Sequence, residues 1–179
     1  EPLALTLTIN VVNMVLCKDG NEGSIFVTVA NGTPNYSYLW SNGAVTEDID
    51  VLEDGFYGLT VTDALGCVIS TISDIEITEP ALLELTGGVE THVSCNGGND
   101  GTITITDAIG GTMPYTYTWS TVDGSGLVQD VLVQTVLTAG TYTVSVTDVN
   151  GCLAATETYV ITEPTELVYV SHTISDFNG

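Results

Sequence analysis

A single basic residue, Lys18, stands against 23 acidic ones in this 179-residue chain, for a net charge of −22. Gripping phosphates takes Lys and Arg, so nucleic acid is excluded as a partner. An anionic membrane surface would repel the chain as well. Charge of either sign is scarce, at 13% of residues, against a usual quarter. No run reaches ~18 consecutive apolar residues, so membrane insertion through a helix is not expected. No signal peptide is visible, and the opening Glu1-Pro2 reads as mid-repeat, so the sequence is expected to be a piece of something longer. Helical periodicity never persists beyond a turn or two.

The chemistry-bearing motifs are also missing. There is no Gly-x-Ser-x-Gly elbow, phosphate loop or HExxH. With 23 acids, chance carboxylate pairs are inevitable, so nothing specific supports a glycosidase. Without a CxxC, and with only His92 and His172 as imidazoles, a zinc site is not expected. The chain reads as a non-enzyme.

What is present favours strands. Apolar residues make up 44%, which is core material rather than a disordered tail. Thr102-Ile103-Thr104-Ile105-Thr106 alternates cleanly, as does Thr141 to Thr147, where Tyr142, Val144 and Val146 share a face. Tyr115, Tyr117 and Trp119 share another. Around Ile25, Phe26, Val27 and Val29 the facing is ambiguous by one residue. One wet and one dry face per short strand predicts antiparallel sheets packed as a β-sandwich.

Self-similarity organises the whole. Cys17-Lys18-Asp19-Gly20-Asn21-Glu22-Gly23 recurs as Cys95-Asn96-Gly97-Gly98-Asn99-Asp100-Gly101, and Tyr38-Leu39-Trp40 as Tyr117-Thr118-Trp119. Leu52-x-x-Gly55-x-Tyr57 recurs as Leu137-x-x-Gly140-x-Tyr142, and Val61-Thr62-Asp63-x-x-Gly66-Cys67 as Val146-Thr147-Asp148-x-x-Gly151-Cys152. The second copy carries about six extra residues between Trp119 and Leu137, read as a loop enlarged around Asp123 to Gly126. Ile77-Thr78-Glu79-Pro80 recurs as Ile161 to Pro164. Pro cannot continue a central strand, so the Glu-Pro steps predict stiff joints. The organisation is two tandem domains, 1–80 and 81–164, with 165–179 starting a further one.

Trp40 and Trp119, at the end of an alternating strand, are read as core, with a sugar-stacking platform as the other reading. Tyr57 and Tyr142 fit the tyrosine corner of immunoglobulin-like sandwiches. Four Cys allow three pairings. The repeat suggests Cys17–Cys67 and Cys95–Cys152, one disulfide per domain, and hence an oxidising compartment. The second repeat has no Lys, so a Lys–Asn isopeptide cannot be its staple. Asp19, Glu22, Asp63, Asp100 and Asp148 sit in loops where oxygen ligands could hold Ca²⁺. The stronger reading is that Asp and Asn close tight turns there. The Thr rows are too short, and sandwich sheets too twisted, for ice binding.

The second unit's Cys95 to Ile103, Gly110 to Trp119, Ala139 to Cys152 and Ile161 to Pro164 resemble the SprB repeat, and the first unit matches more loosely. That resemblance implies an extracellular segment of a giant cell-surface adhesin of gliding Bacteroidota, exported by the type 9 secretion system. It implies neighbouring repeats of the same chain as partners, with surface polysaccharide and the gliding or secretion machinery as further ones. Within it, two functions compete: a stalk displaying adhesive regions elsewhere, and a carbohydrate-binding module.

Overall fold

The computed structural model describes residues 3–71 and 74–171. Among them every regular element is a strand, and every pairing given for the strands is antiparallel. The start proposed for a further repeat lies, from residue 172 on, outside the described residues.

The first repeat opens with β1 (Thr6–Asn13) and β2 (Gly23–Ala30), a long hairpin that β4 (Ile49–Leu52) joins at the other edge of β2. A second sheet holds β3 (Ser37–Trp40), β6 (Leu59–Thr62) and β7 (Val68–Ser70). Beside it, β5 (Gly55–Tyr57) pairs with β8 (Ile75–Ile77). Ile25, Val27, Ile49 and Leu52 from the first sheet share one buried cluster with Trp40, Leu59 and Val61 from the second and Ile77 from β8. This settles the ambiguous register. Ile25 and Val27 point inward, while Phe26 is 40% exposed. With a side-chain period of two, choosing Ile25 for the core commits its neighbours.

The second repeat contributes β9 (Gly88–Thr91), β10 (Gly101–Ile105) and β12 (Val133–Leu137) in one sheet, and β11 (Tyr115–Thr121), β13 (Gly140–Asp148) and β14 (Glu157–Ile161) in the other. In β13, Tyr142, Val144 and Val146 are fully buried. This strand is the unbroken counterpart of β5 plus β6, which are interrupted at Gly58. A Cβ on Gly58 would come within 2.7 Å of Asp74 Oδ1.

By internal contacts the chain divides into two units. The first comprises Glu1–Glu84 with Ile109–Tyr115 and Thr147–Ala154, and the second comprises Leu85–Ala108, Thr116–Val146 and Ala155–Gly179. The turn carrying Cys152, though second-repeat by sequence, thus belongs to the first unit.

The disulfide pattern corrects the sequence reading. One bond is present, between Cys17 and Cys152, with their Cα atoms 5.5 Å apart; Cys67 and Cys95 are free and exposed. Neither Cys17–Cys67 nor Cys95–Cys152 forms, for a topological reason. Cys17 lies in the loop that enters β2 at Gly23. Cys67 lies in the turn that bonds to Thr33, beyond the far end of β2. The eight residues of β2 span about 25 Å at ~3.3 Å per residue, whereas a disulfide needs Cα atoms within ~7 Å. In the second repeat, β13 has Gly140 paired with Ile161 near the Cys95 loop and Asp148 beside Cys152 at its other end.

Candidate functional site: the cysteine turns

Each repeat carries two cysteine-bearing turns, and the two copies of each turn are built alike. In the Asp-x-x-Gly-Cys turn the Asp63 backbone N–H donates to the Cys67 carbonyl at 2.9 Å. Asp63 Oδ1 accepts the amides of Leu65 and Cys67, and Oδ2 accepts that of Thr33. In the second copy Asp148 N–H donates to the Cys152 carbonyl at 3.0 Å. Asp148 Oδ1 accepts from Asn150 and Cys152, and Oδ2 from Thr112. Gly66 and Gly151 take the left-handed φ of 84° and 86° that the turn needs. Both aspartates are buried. The amides of Thr33, Cys67 and Leu65 hold the Asp63 carboxyl below its ordinary range.

The other turn begins at the first cysteine. Gly20 N–H closes on the Cys17 carbonyl at 3.1 Å, and Gly98 N–H on that of Cys95 at 3.0 Å. A glutamate from the Glu-Pro step then clamps each loop. Glu79 Oε2 accepts the Asp19 amide, and Glu163 Oε2 the Gly97 amide, both at 2.7 Å. Lys18 completes the first clamp as an ion pair with Glu79, and a second with Asp19. Lys18 and then the Asp19 amide pull the Glu79 carboxyl below its usual range. Ser94 does the same to Asp100, whose Oδ1 accepts the Ser94 amide at 2.9 Å.

Where the two kinds of turn meet, Cys17 and Cys152 are bonded, and Asn150 Nδ2 lies 3.4 Å from the Leu16 carbonyl oxygen. The bridge ties the first repeat's leading loop to the second repeat's trailing turn.

The residues considered for Ca²⁺ are distributed over these turns. Asp63, Asp148 and Asp100 accept backbone amides, and Glu22 Oε2 accepts that of Leu16 at 3.4 Å. Asp19 pairs with Lys18. Among the described residues no three His, Cys, Asp or Glu side chains come together as a metal-holding group.

The aromatic candidates lie inside. Trp40 is 1% and Trp119 3% exposed. Their indole N–H groups donate to the Thr46 and Val131 carbonyls, at 2.9 and 3.0 Å. Tyr57 Oη donates to Glu53 O at 3.1 Å. Tyr142 Oη lies 2.8 Å from Thr138 O and 2.9 Å from Ser125 O, and accepts the Ser125 amide. The enlarged loop of the second repeat thus folds onto its tyrosine. Gly124 is needed there, since a Cβ would fall 2.3 Å from Tyr142 Oη.

Two glutamines went unnoticed in the sequence. Gln134 is fully buried and bonds both the N–H and the C=O of Val128. Gln129 does the same for Trp119. They replace strand pairing where the enlarged loop passes, and no sequence period marks them.

Residues 8–45 and 85–124 match the family model for the SprB repeat. No curated protein matches the chain. Among solved structures, a C-terminal 282-residue fragment of intimin, in complex with the intimin-binding domain of the translocated intimin receptor, is similar at 13% identity and a TM-score of 0.42. That match covers 86% of this chain and 64% of that one, so the chain spans less than two thirds of the fragment's length. Domains 4 and 5 of the S-layer protein SbsC are similar at 12% identity and a TM-score of 0.31, over 92% of this chain and all of that one.

Proposed function

We propose, from the premise that both repeats of this chain belong to the SprB repeat family, that it is a stalk segment of a large extracellular bacterial adhesin. In this reading each repeat folds as an immunoglobulin-like sandwich, and the tandem copies contribute length at the cell surface. The chain is not an enzyme. Export by the type 9 secretion system and movement by a gliding machinery extend the same reading, and rest on the family resemblance alone.

The observation that carries the proposal is the Cys17–Cys152 bond, which fixes consecutive repeats to one another covalently. A module that works alone has no use for such a link, whereas a tandem stalk gains a covalent tie from one repeat to the next. The net charge of −22 suits a solvated fibre that stays soluble. The competing reading, a carbohydrate-binding module that stacks sugars on the tryptophans, needs them accessible, and both are sealed in cores.

A glycan array probed with the purified chain tests this. The stalk reading expects no saturable binding to any polysaccharide. Binding that disappears when exposed loop residues are substituted, with the melting temperature unchanged, would replace it with the module reading.

A further inference from the structure

We infer that Cys95 and Cys67 are the two halves of a second bridge of the Cys17–Cys152 type, formed between copies of this chain joined head to tail. Cys17 is the leading cysteine of its repeat and Cys152 the trailing cysteine of the next. Among the cysteines left free, Cys95 is a leading one and Cys67 a trailing one, and both are exposed.

Two independent observations support the pairing. The first is the matched geometry. The loop that presents Cys95 repeats the one that presents Cys17, down to the closing amide three residues on and the glutamate clamp at 2.7 Å. The turn that presents Cys67 repeats the Cys152 turn, down to the three amides on its aspartate and the left-handed glycine. Two surfaces that already meet once in the chain are thus each present a second time, unpaired. The second observation is a cleft of about 540 Å³ at Cys67, lined by Leu3, Leu5, Gly32, Leu65 and Ile69 among others. The occupant assigned to it is the Cys95 loop of another copy. The two bridges differ in their polar surroundings: Leu65 stands where Asn150 donates toward Leu16, and Asn96 stands where Lys18 pairs with Glu79.

Bond formation needs an oxidant, and a small-molecule disulfide such as oxidised glutathione supplies it. The Cys95 thiolate attacks one sulfur of the oxidant and releases one glutathione thiol. The Cys67 thiolate of the second copy then attacks the mixed disulfide and releases the other. Two protein thiols are oxidised to one disulfide, the oxidant is reduced to two thiols, and the protons lost by the cysteines are taken up by the leaving thiolates.

The test uses the whole chain in two variants, Cys67→Ser and Cys95→Ser. Both substitutions fall at exposed positions, and intact folding is checked by melting. Each is incubated alone with oxidised glutathione, and the two are then mixed. The expected result is that each alone remains monomeric while the mixture gives a disulfide-linked dimer. Peptide mapping should find Cys95 of one copy joined to Cys67 of the other, with Cys17–Cys152 intact. The unmodified chain should give a ladder of oligomers. Dimers forming as readily from either variant alone overturn the inference. So does a mixture that stays monomeric, or an unmodified chain that closes Cys67 onto its own Cys95.

Discussion

Glu79 accepts the backbone amide of Asp19 at 2.7 Å across 60 residues of chain, so the end of the first repeat holds shut the loop that presents its leading cysteine. Glu163 holds Gly97 at the same distance in the second repeat. The clamp links a boundary residue to the loop that carries a cysteine, and it has a pH dependence.

The carboxyls of Asp63, Glu79 and Asp100 all lie below their ordinary range. A carboxyl depressed in the folded state adds stability above its unfolded pKa, near ~4, and loses it as pH falls through the folded value. Lys18 is shifted upward by Glu79 and Asp19, so its contribution persists to beyond its ordinary value of ~10.4. The melting temperature should therefore hold between neutrality and about pH 5 and fall below about pH 4. Protonation also relieves self-repulsion, which acts oppositely, so the informative quantity is a difference. Glu79→Gln should melt lower than the parent at pH 7, and the gap should close in acid. A gap that stays constant from pH 7 to pH 2 contradicts the clamp.

Thiol counting checks the bridge. N-ethylmaleimide should add to two cysteines in the folded, unreduced protein, Cys67 and Cys95, and to all four after reduction. Cys152→Ser should lower stability. The chain-entropy model gives up to about 5 kcal/mol for a bridge of this span, and measured effects are often smaller. Peptide mapping that joins Cys17 to Cys67 and Cys95 to Cys152 would restore the one-bond-per-repeat pattern.

The tryptophans should behave as core. Trp40→Ala should cost about 3–5 kcal/mol, and Trp119→Ala a similar amount. Emission of the native protein should be blue-shifted and resist iodide quenching. Free quenching of either indole would reopen the sugar-platform reading.

The two tyrosines should separate. Tyr142 is fully buried and its hydroxyl meets Thr138 and Ser125. The Tyr57 hydroxyl donates to the Glu53 carbonyl in a more exposed setting. Tyr142→Phe removes the hydroxyl's bonds to the Thr138 and Ser125 carbonyls and should cost about 1–3 kcal/mol, more than Tyr57→Phe. Equal melting temperatures for the two variants would mean that the enlarged loop does not depend on its tyrosine.

Alternation made much of the fold legible. Ile103 and Ile105 are buried with their threonines outward, and Tyr142, Val144 and Val146 line one face. Where apolar residues ran together, as at Ile25-Phe26-Val27, the period was lost and only packing could choose the face. The Asp63 and Asp148 turns were legible as turns, because Asp-x-x-Gly has its own local bonding logic. The partner of each cysteine was not. A repeat symmetry is satisfied equally by a bond inside each copy and by a bond from each copy to the next. What decides is which end of β2 a loop occupies, and that depends on strand pairing rather than spacing. The Glu-Pro step read as a joint, while the clamp made by its carboxylate depends on a contact 60 residues away.

The Cys17–Cys152 bond also determines how the chain answers a pull at its two ends. Tension entering near residue 17 crosses the sulfur bridge and leaves near residue 152, bypassing the 135 residues of sequence separation between them. About 45 residues are free to lengthen, roughly 150 Å at full extension. With the bridge cut, the whole chain could be drawn out to roughly 600 Å. The chain between the two sulfurs is thereby spared direct tension while the bond is intact, β1 and β14 lying outside it, and reduction releases a hidden length several times the visible one.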